Sequence, residues 1–106
     1  MAKKVLGQSN PAATTATTLY TVPSAKSAVI SSLTVCNQAS TSATFRVAVR
    51  PAAATLAAQH YIAYDVAVGA ADTTVLTLGI TLATTDVVTV YASTATISFN
   101  AYGDES

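Results

Sequence analysis

The sequence predicts an all-β fold, a single antiparallel β-sandwich of about eight strands. Three observations carry this. Helix-forming Glu, Lys and Gln are scarce, and the Ala-rich stretches are broken by Thr, Pro and Gly. β-branched residues recur in short runs, where they suit a pleated, half-buried surface. Turn-like stretches divide those runs at the spacing of a sandwich or barrel. At 106 residues the chain fits one domain, 1–106, with a short N-terminal arm over about 1–11 and a polar C-terminal tail over about 103–106. Immunoglobulin-like and jelly-roll strand orders both read as short alternating strands, so the order stays open between them.

Lys3–Leu6 pairs as an edge strand or lies as an arm. Residues 9–17, small, polar and interrupted by Pro11, form a loop. Thr18–Val22 is a short strand stopped by Pro23, which has no ladder donor. After a turn over Ser24–Ser27, Ala28–Cys36 is a strong strand, and Asn37–Ser42 is a turn of small polar residues. Ala43–Arg50 alternates most clearly. Phe45, Val47 and Val49 point to one side, and Arg46, Ala48 and Arg50 to the other. Pro51 ends this strand. Ala52–Ala58 is one helical turn or a loop, and Gln59–Tyr64 is the next strand, with Tyr61 and Ile62 facing opposite sides. Asp65–Asp72 connects to Thr73–Leu78, where Leu76 and Leu78 share a face. Gly79 marks a bulge or turn. Ile80–Thr85 leads to Asp86 and then to a strand over Val87–Ala92. Ser93 and Thr94 turn the chain into Ala95–Ala101, with Ile97 and Phe99 inward. The expected core is Leu33, Val35, Phe45, Val47, Val49, Ile62, Leu76, Leu78, Val88, Val90, Ile97 and Phe99.

Charged residues make up only 9% of the chain, against about 25% in ordinary globular domains. Ala, Thr and Ser fill their place. The net charge is +0, so little repulsion keeps copies apart, and other chains are expected to cover much of the surface. Among the cations Lys3, Lys4, Lys26, Arg46 and Arg50 only the first two cluster, which excludes nucleic-acid binding by counterion release. Lys3 and Lys4 resemble the charged start of a signal peptide, but Gly7, Gln8, Ser9, Asn10 and Pro11 stand where its apolar core would be. No run approaches the roughly 20 apolar residues of a membrane span.

Catalytic signatures are missing from the sequence. The one histidine, His60, has no Gly-x-Ser-x-Gly elbow to serve and reads as a surface or interface residue. Cys36, the only cysteine, cannot close an intrachain disulfide and reads as a small, half-buried apolar side chain. One His and one Cys far apart do not make a metal site. Asp65, Asp72 and Asp86 fall in expected turns, where Asp caps backbone groups. The four glycines are scattered, so no phosphate loop forms. The expectation is a protein that is not an enzyme, with no cofactor and no metal. Tyr20, Tyr61, Tyr64, Tyr91 and Tyr102 lie in or beside strands, suiting sheet packing or an interface in which the ring is covered and the hydroxyl stays wet. A sugar-stacking face would usually recruit Trp, which is absent.

Several strand phrases carry a resemblance. They are Leu19-Tyr20-Thr21-Val22-Pro23, Ser31-Ser32-Leu33-Thr34-Val35-Cys36-Asn37, Thr44-Phe45-Arg46-Val47-Ala48-Val49-Arg50, His60-Tyr61-Ile62-Ala63-Tyr64-Asp65 and Ile97-Ser98-Phe99-Asn100-Ala101-Tyr102-Gly103. Together, over about Val5 to Gly103, they resemble small virion structural proteins of tailed bacteriophages. The resemblance implies a β-sandwich built into a phage particle and made in the host cytoplasm. Its commonest role there is capsid decoration, or cement, on the major capsid protein, as a homo-oligomer with a trimer favoured. A tail, neck or fibre-associated module contacting other virion proteins shares the architecture, as does a glycan- or receptor-binding module.

The candidate interface residues are Lys3, Lys4, Arg46, Arg50, Tyr61 and Tyr91. Arg46 and Arg50 are expected on the outer face of their strand, with Ala48 between them leaving access. There they would pair with carboxylates of a neighbouring subunit, for which arginine's planar fork is suited.

Overall fold

The computed structural model describes residues 2–106. Nine strands form: β1 (Ala2–Ser9), β2 (Thr17–Thr21), β3 (Ala28–Asn37), β4 (Ala43–Arg50), β5 (Tyr61–Val68), β6 (Thr73–Leu76), β7 (Ile80–Leu82), β8 (Val87–Ala92) and β9 (Ile97–Glu105). Single 3₁₀ turns at Pro51–Ala53 and Ala58–His60 interrupt the connection from β4 to β5. The strands make two antiparallel sheets, β1-β9-β3-β6 with β7 also on β3, and β2-β8-β4-β5.

With β6 and β7 taken as one interrupted strand, β1 pairs with the last strand, β2 with the one before it, β3 with β6 and β7, and β4 with β5. That nesting is one long hairpin rolled up on itself, the jelly-roll order. An immunoglobulin order would place the first two strands side by side, whereas here β1 and β2 lie in different sheets.

The core lies between the sheets. Phe45 of β4 meets Phe99 of β9 edge-on, with centroids 6.1 Å apart and rings at 72°, which joins the two layers through their largest side chains. Leu33, Val35, Val47, Val88, Val90 and Ile97 are buried around them as expected. Val49 and Leu76 are half-buried against this cluster.

Ile62 and Leu78 are not core residues, being 44% and 54% exposed. Ala63 pairs with Val47 and Tyr61 with Ala48, so Ile62 is the extra residue of a bulge in an edge strand. Leu78 follows the end of β6, in the link where Gly79 takes φ +61°. Leu19, Tyr20, Val22, Ile30, Val68 and Leu82 are buried instead, with alanines 28, 43, 92 and 101 filling the narrow places.

Of the two forms expected for the N-terminal stretch, the edge strand is the one taken, whereas the expected polar tail is part of a strand. The arm is strand β1, hydrogen-bonded along β9. The tail is the end of β9, and the following Ser106 exchanges backbone hydrogen bonds of 3.0 and 2.8 Å with Ser27. Gly103 makes the extension workable, because a Cβ there would lie 1.9 Å from the Val29 carbonyl oxygen. Only a residue without a side chain lets β9 approach β3 so closely.

Candidate interaction surface

The densest arrangement of polar and aromatic side chains lies on the outer face of the β2-β8-β4-β5 sheet. Phe45 and Val47 face the core, which turns Arg46 outward between them. On β8 its cross-strand partner is Tyr91. On β5 the register slips, because Val66 pairs with Phe45 and Ala63 with Val47. Two residues, Tyr64 and Asp65, therefore oppose the single Arg46. Asp65 sits at φ 51°, a left-handed backbone that Asp tolerates better than most residues.

The bulge delivers a ring and a carboxylate to one guanidinium. Arg46 donates from Nε to Asp65 Oδ1 at 2.7 Å and from Nη2 to Oδ2 at 3.3 Å. Its Cζ lies 4.1 Å from the Tyr64 ring centroid and 4.3 Å from that of Tyr91. The row Tyr64–Arg46–Tyr91 thus runs across three strands with the cation between two π faces. The hydrogen bonds to Asp65 are the main reason that the guanidinium titrates above its ordinary value.

Beside this row the connection 51–60 folds over the same face. Arg50 donates from Nε to Thr89 Oγ1 at 3.1 Å and from Nη1 to the Ala54 carbonyl at 3.0 Å. Asp86 accepts from the Ala52 and Ala83 amides, both at 2.9 Å. His60 Nδ1 accepts from the Ala57 amide at 3.0 Å. Between this strap and the row is an open cleft of about 620 Å³, lined by Leu56, Ala57, Ala58, Tyr61 and Tyr64. Tyr61 and Tyr64 meet edge-to-face, with centroids 4.9 Å apart at 86°.

The six expected interface residues separate into two groups. Arg46, Arg50, Tyr61 and Tyr91 share this face. Lys3 and Lys4 lie on β1 of the other sheet. Lys4 Nζ donates to Glu105 Oε1 at 2.9 Å, and Tyr20 OH donates to Glu105 Oε2 at 2.5 Å, so Glu105 ties β1 and β9 to β2 across the sheets. The Tyr20 hydrogen bond, then that from Lys4, holds the Glu105 carboxyl below the usual carboxylate range. Burial, then the Glu105 hydrogen bond, pushes the Tyr20 hydroxyl well above the phenol range.

Three expectations are corrected here. Both arginines face outward, but their guanidiniums already have partners within the chain. Ala48 is not an opening between them, since it is buried in a row with Tyr61 and Thr89. Asp65 is in a strand and makes an ion pair, whereas Asp72 and Asp86 do cap backbone amides. Tyr64 and Asp65 were not among the interface candidates. Their signal is a carboxylate following a tyrosine inside a run that otherwise alternates.

Cys36 is half-buried on β3. Among the described residues no three His, Cys, Asp or Glu side chains gather where they could hold a metal, and no helix is long and apolar enough to cross a membrane. No protein-family model, curated protein or solved structure matches this chain.

Proposed function

We propose that the chain is a structural protein of a phage virion, a capsid decoration or cement protein that stabilises the shell through subunit contacts. The observation that carries this reading is the outer face of the β1-β9-β3-β6 sheet. Its cross-strand rows are Gln8–Asn100–Thr34–Val75 and Val5–Tyr102–Ser32. Val5, Val29, Val75 and Tyr102 are exposed there, among hydroxyls and amides. The charged side chains of this face are Lys3 and Asp104, opposite each other in the register. A face with exposed apolar groups and almost no charge costs little to desolvate against another chain. The partners are the major capsid protein or other virion proteins, together with further copies of this chain in a trimer. The protein is made in the host cytoplasm and resides on the virion. Quantitative mass spectrometry of purified particles tests the proposal. Hundreds of copies per particle support it; a handful would assign the chain to the tail or neck instead.

A further inference from the structure

We infer that the cleft beside Tyr61 and Tyr64 is a binding site for a neutral sugar unit. This inference does not depend on the virion reading. Four features point to that ligand. The volume of about 620 Å³ lies within the range of small-molecule sites. The lining is apolar and aromatic, from Leu56, Ala57, Ala58, Tyr61 and Tyr64, and suits the C–H faces of a pyranose. Tyr64 is 57% exposed, so its ring is available to a ligand. Against Tyr64, Arg46 pairs with Asp65 and the two cancel each other's charge, which leaves no net charge there to recruit an ionic ligand.

The ion pair also favours a sugar over a proline-rich peptide, the other ligand that aromatic grooves accept. Arg46 uses Nε and Nη2 on Asp65, and its Nη1 has no partner among the described residues. The Asp65 side chain remains 47% exposed, with lone pairs to spare. A free donor on Arg46 and a free acceptor on Asp65 therefore both remain next to the exposed Tyr64 ring. Sugar hydroxyls both donate and accept, whereas a polyproline segment offers mainly carbonyl acceptors. Stacking holds the guanidinium in place between Tyr64 and Tyr91 before any ligand arrives, so little ordering remains to be done on binding.

The test is saturation-transfer NMR and calorimetry on the full chain. The ligands are oligosaccharides of glucose, galactose, mannose and N-acetylglucosamine, with a proline-rich peptide alongside. The expected result is weak, saturable binding of at least one sugar, reduced roughly tenfold by Tyr64→Ala. Asp65→Asn, which removes the carboxylate while keeping a residue tolerant of φ 51°, should weaken binding independently. Thermal midpoints of both variants near that of the wild type would show that the fold is kept. No sugar binding, binding of the peptide alone, or sugar binding that both variants leave untouched would each overturn the inference.

Discussion

The two outer faces of the sandwich are held in different ways. On the β2-β8-β4-β5 sheet, side chains knit the surface: Arg46 to Asp65, Tyr64 and Tyr91, Arg50 to Thr89 and the strap, and Asp86 to the strap from the other side. On the β1-β9-β3-β6 sheet the backbone ladder does most of the holding, and the outward side chains have few partners beyond contacts such as Gln8 to Asn100 at 2.7 Å. A surface whose side chains are committed to each other is shaped in advance for a small ligand. One whose side chains are free can reshape against a broad partner without loss to the fold.

The sharpest break of that comparison is Gly103→Ala. The new methyl would press on the Val29 carbonyl of the neighbouring strand, and backbone cannot yield as a side chain tip can. The cost should exceed about 3 kcal/mol, measured by chemical denaturation, because β9 must part from β3. A loss below about 1 kcal/mol would mean that the two strands are not so tightly apposed.

Arg46→Ala comes next. It removes the ion pair and both stacking contacts at once, so the thermal midpoint should fall measurably, though less than for Gly103→Ala. Tyr91→Leu alone should reproduce part of the same loss. If Arg46→Ala leaves the midpoint unchanged, the aromatic row is not held as described. Particle occupancy of the variant with Arg46 and Arg50 both replaced by Ala reports separately on assembly.

Acid and base probe the Glu105 clasp, where the two sheets are joined by side chains. The folded carboxyl titrates below its unfolded value, so its contribution is present above the ordinary carboxylate range and is lost as pH falls through the lowered value. Tyr20 has the opposite sign, contributing below the phenol range and losing that contribution as pH rises through its raised value. Glu105→Gln should therefore flatten the decline in stability as pH falls below the ordinary carboxylate range, relative to the wild type. Parallel acid profiles for the two proteins would remove Glu105 from the acid response.

The smallest effect on folding is expected on the bare face. Val5→Ser and Tyr102→Ser, at exposed positions, should each change stability by no more than about 0.5 kcal/mol. Their effect should appear in particle occupancy instead. A large stability loss from either would show that this face is knit after all.

Strands flanked by ordinary turns were legible from sequence. Ala43–Arg50 and Val87–Ala92 match the structure end to end, because their buried and exposed residues keep period two or their apolar run is bounded by turns. The sequence predicts a strand over Gln59–Tyr64, whereas β5 runs over Tyr61–Val68. Two bulges interrupt its alternation, and Asp65 looks like a turn residue when local chemistry alone is considered. β9 continues to Glu105 past polar residues because its neighbours on both sides supply ladder partners, which is tertiary information. The outward placement of Arg46 and Arg50 followed from alternation. Their partners did not, since Asp65 meets Arg46 only through a register slip, and the strap meets Arg50 only once the loop folds back.

β9 lies between β1 and β3, so the strand around which this sheet is built is synthesised after the other eight. On a ribosome, β1 emerges about a hundred residues before the strand that will hydrogen-bond to it. Until then the apolar side of β3 has no complete layer to join, and the chain must wait with its sheet unassembled. Such distant pairings make folding slow for its size and expose aggregation-prone strands in the meantime. Any cell making this protein in quantity therefore carries a pool of nascent chains in which the strand joining β1 to β3 is still missing.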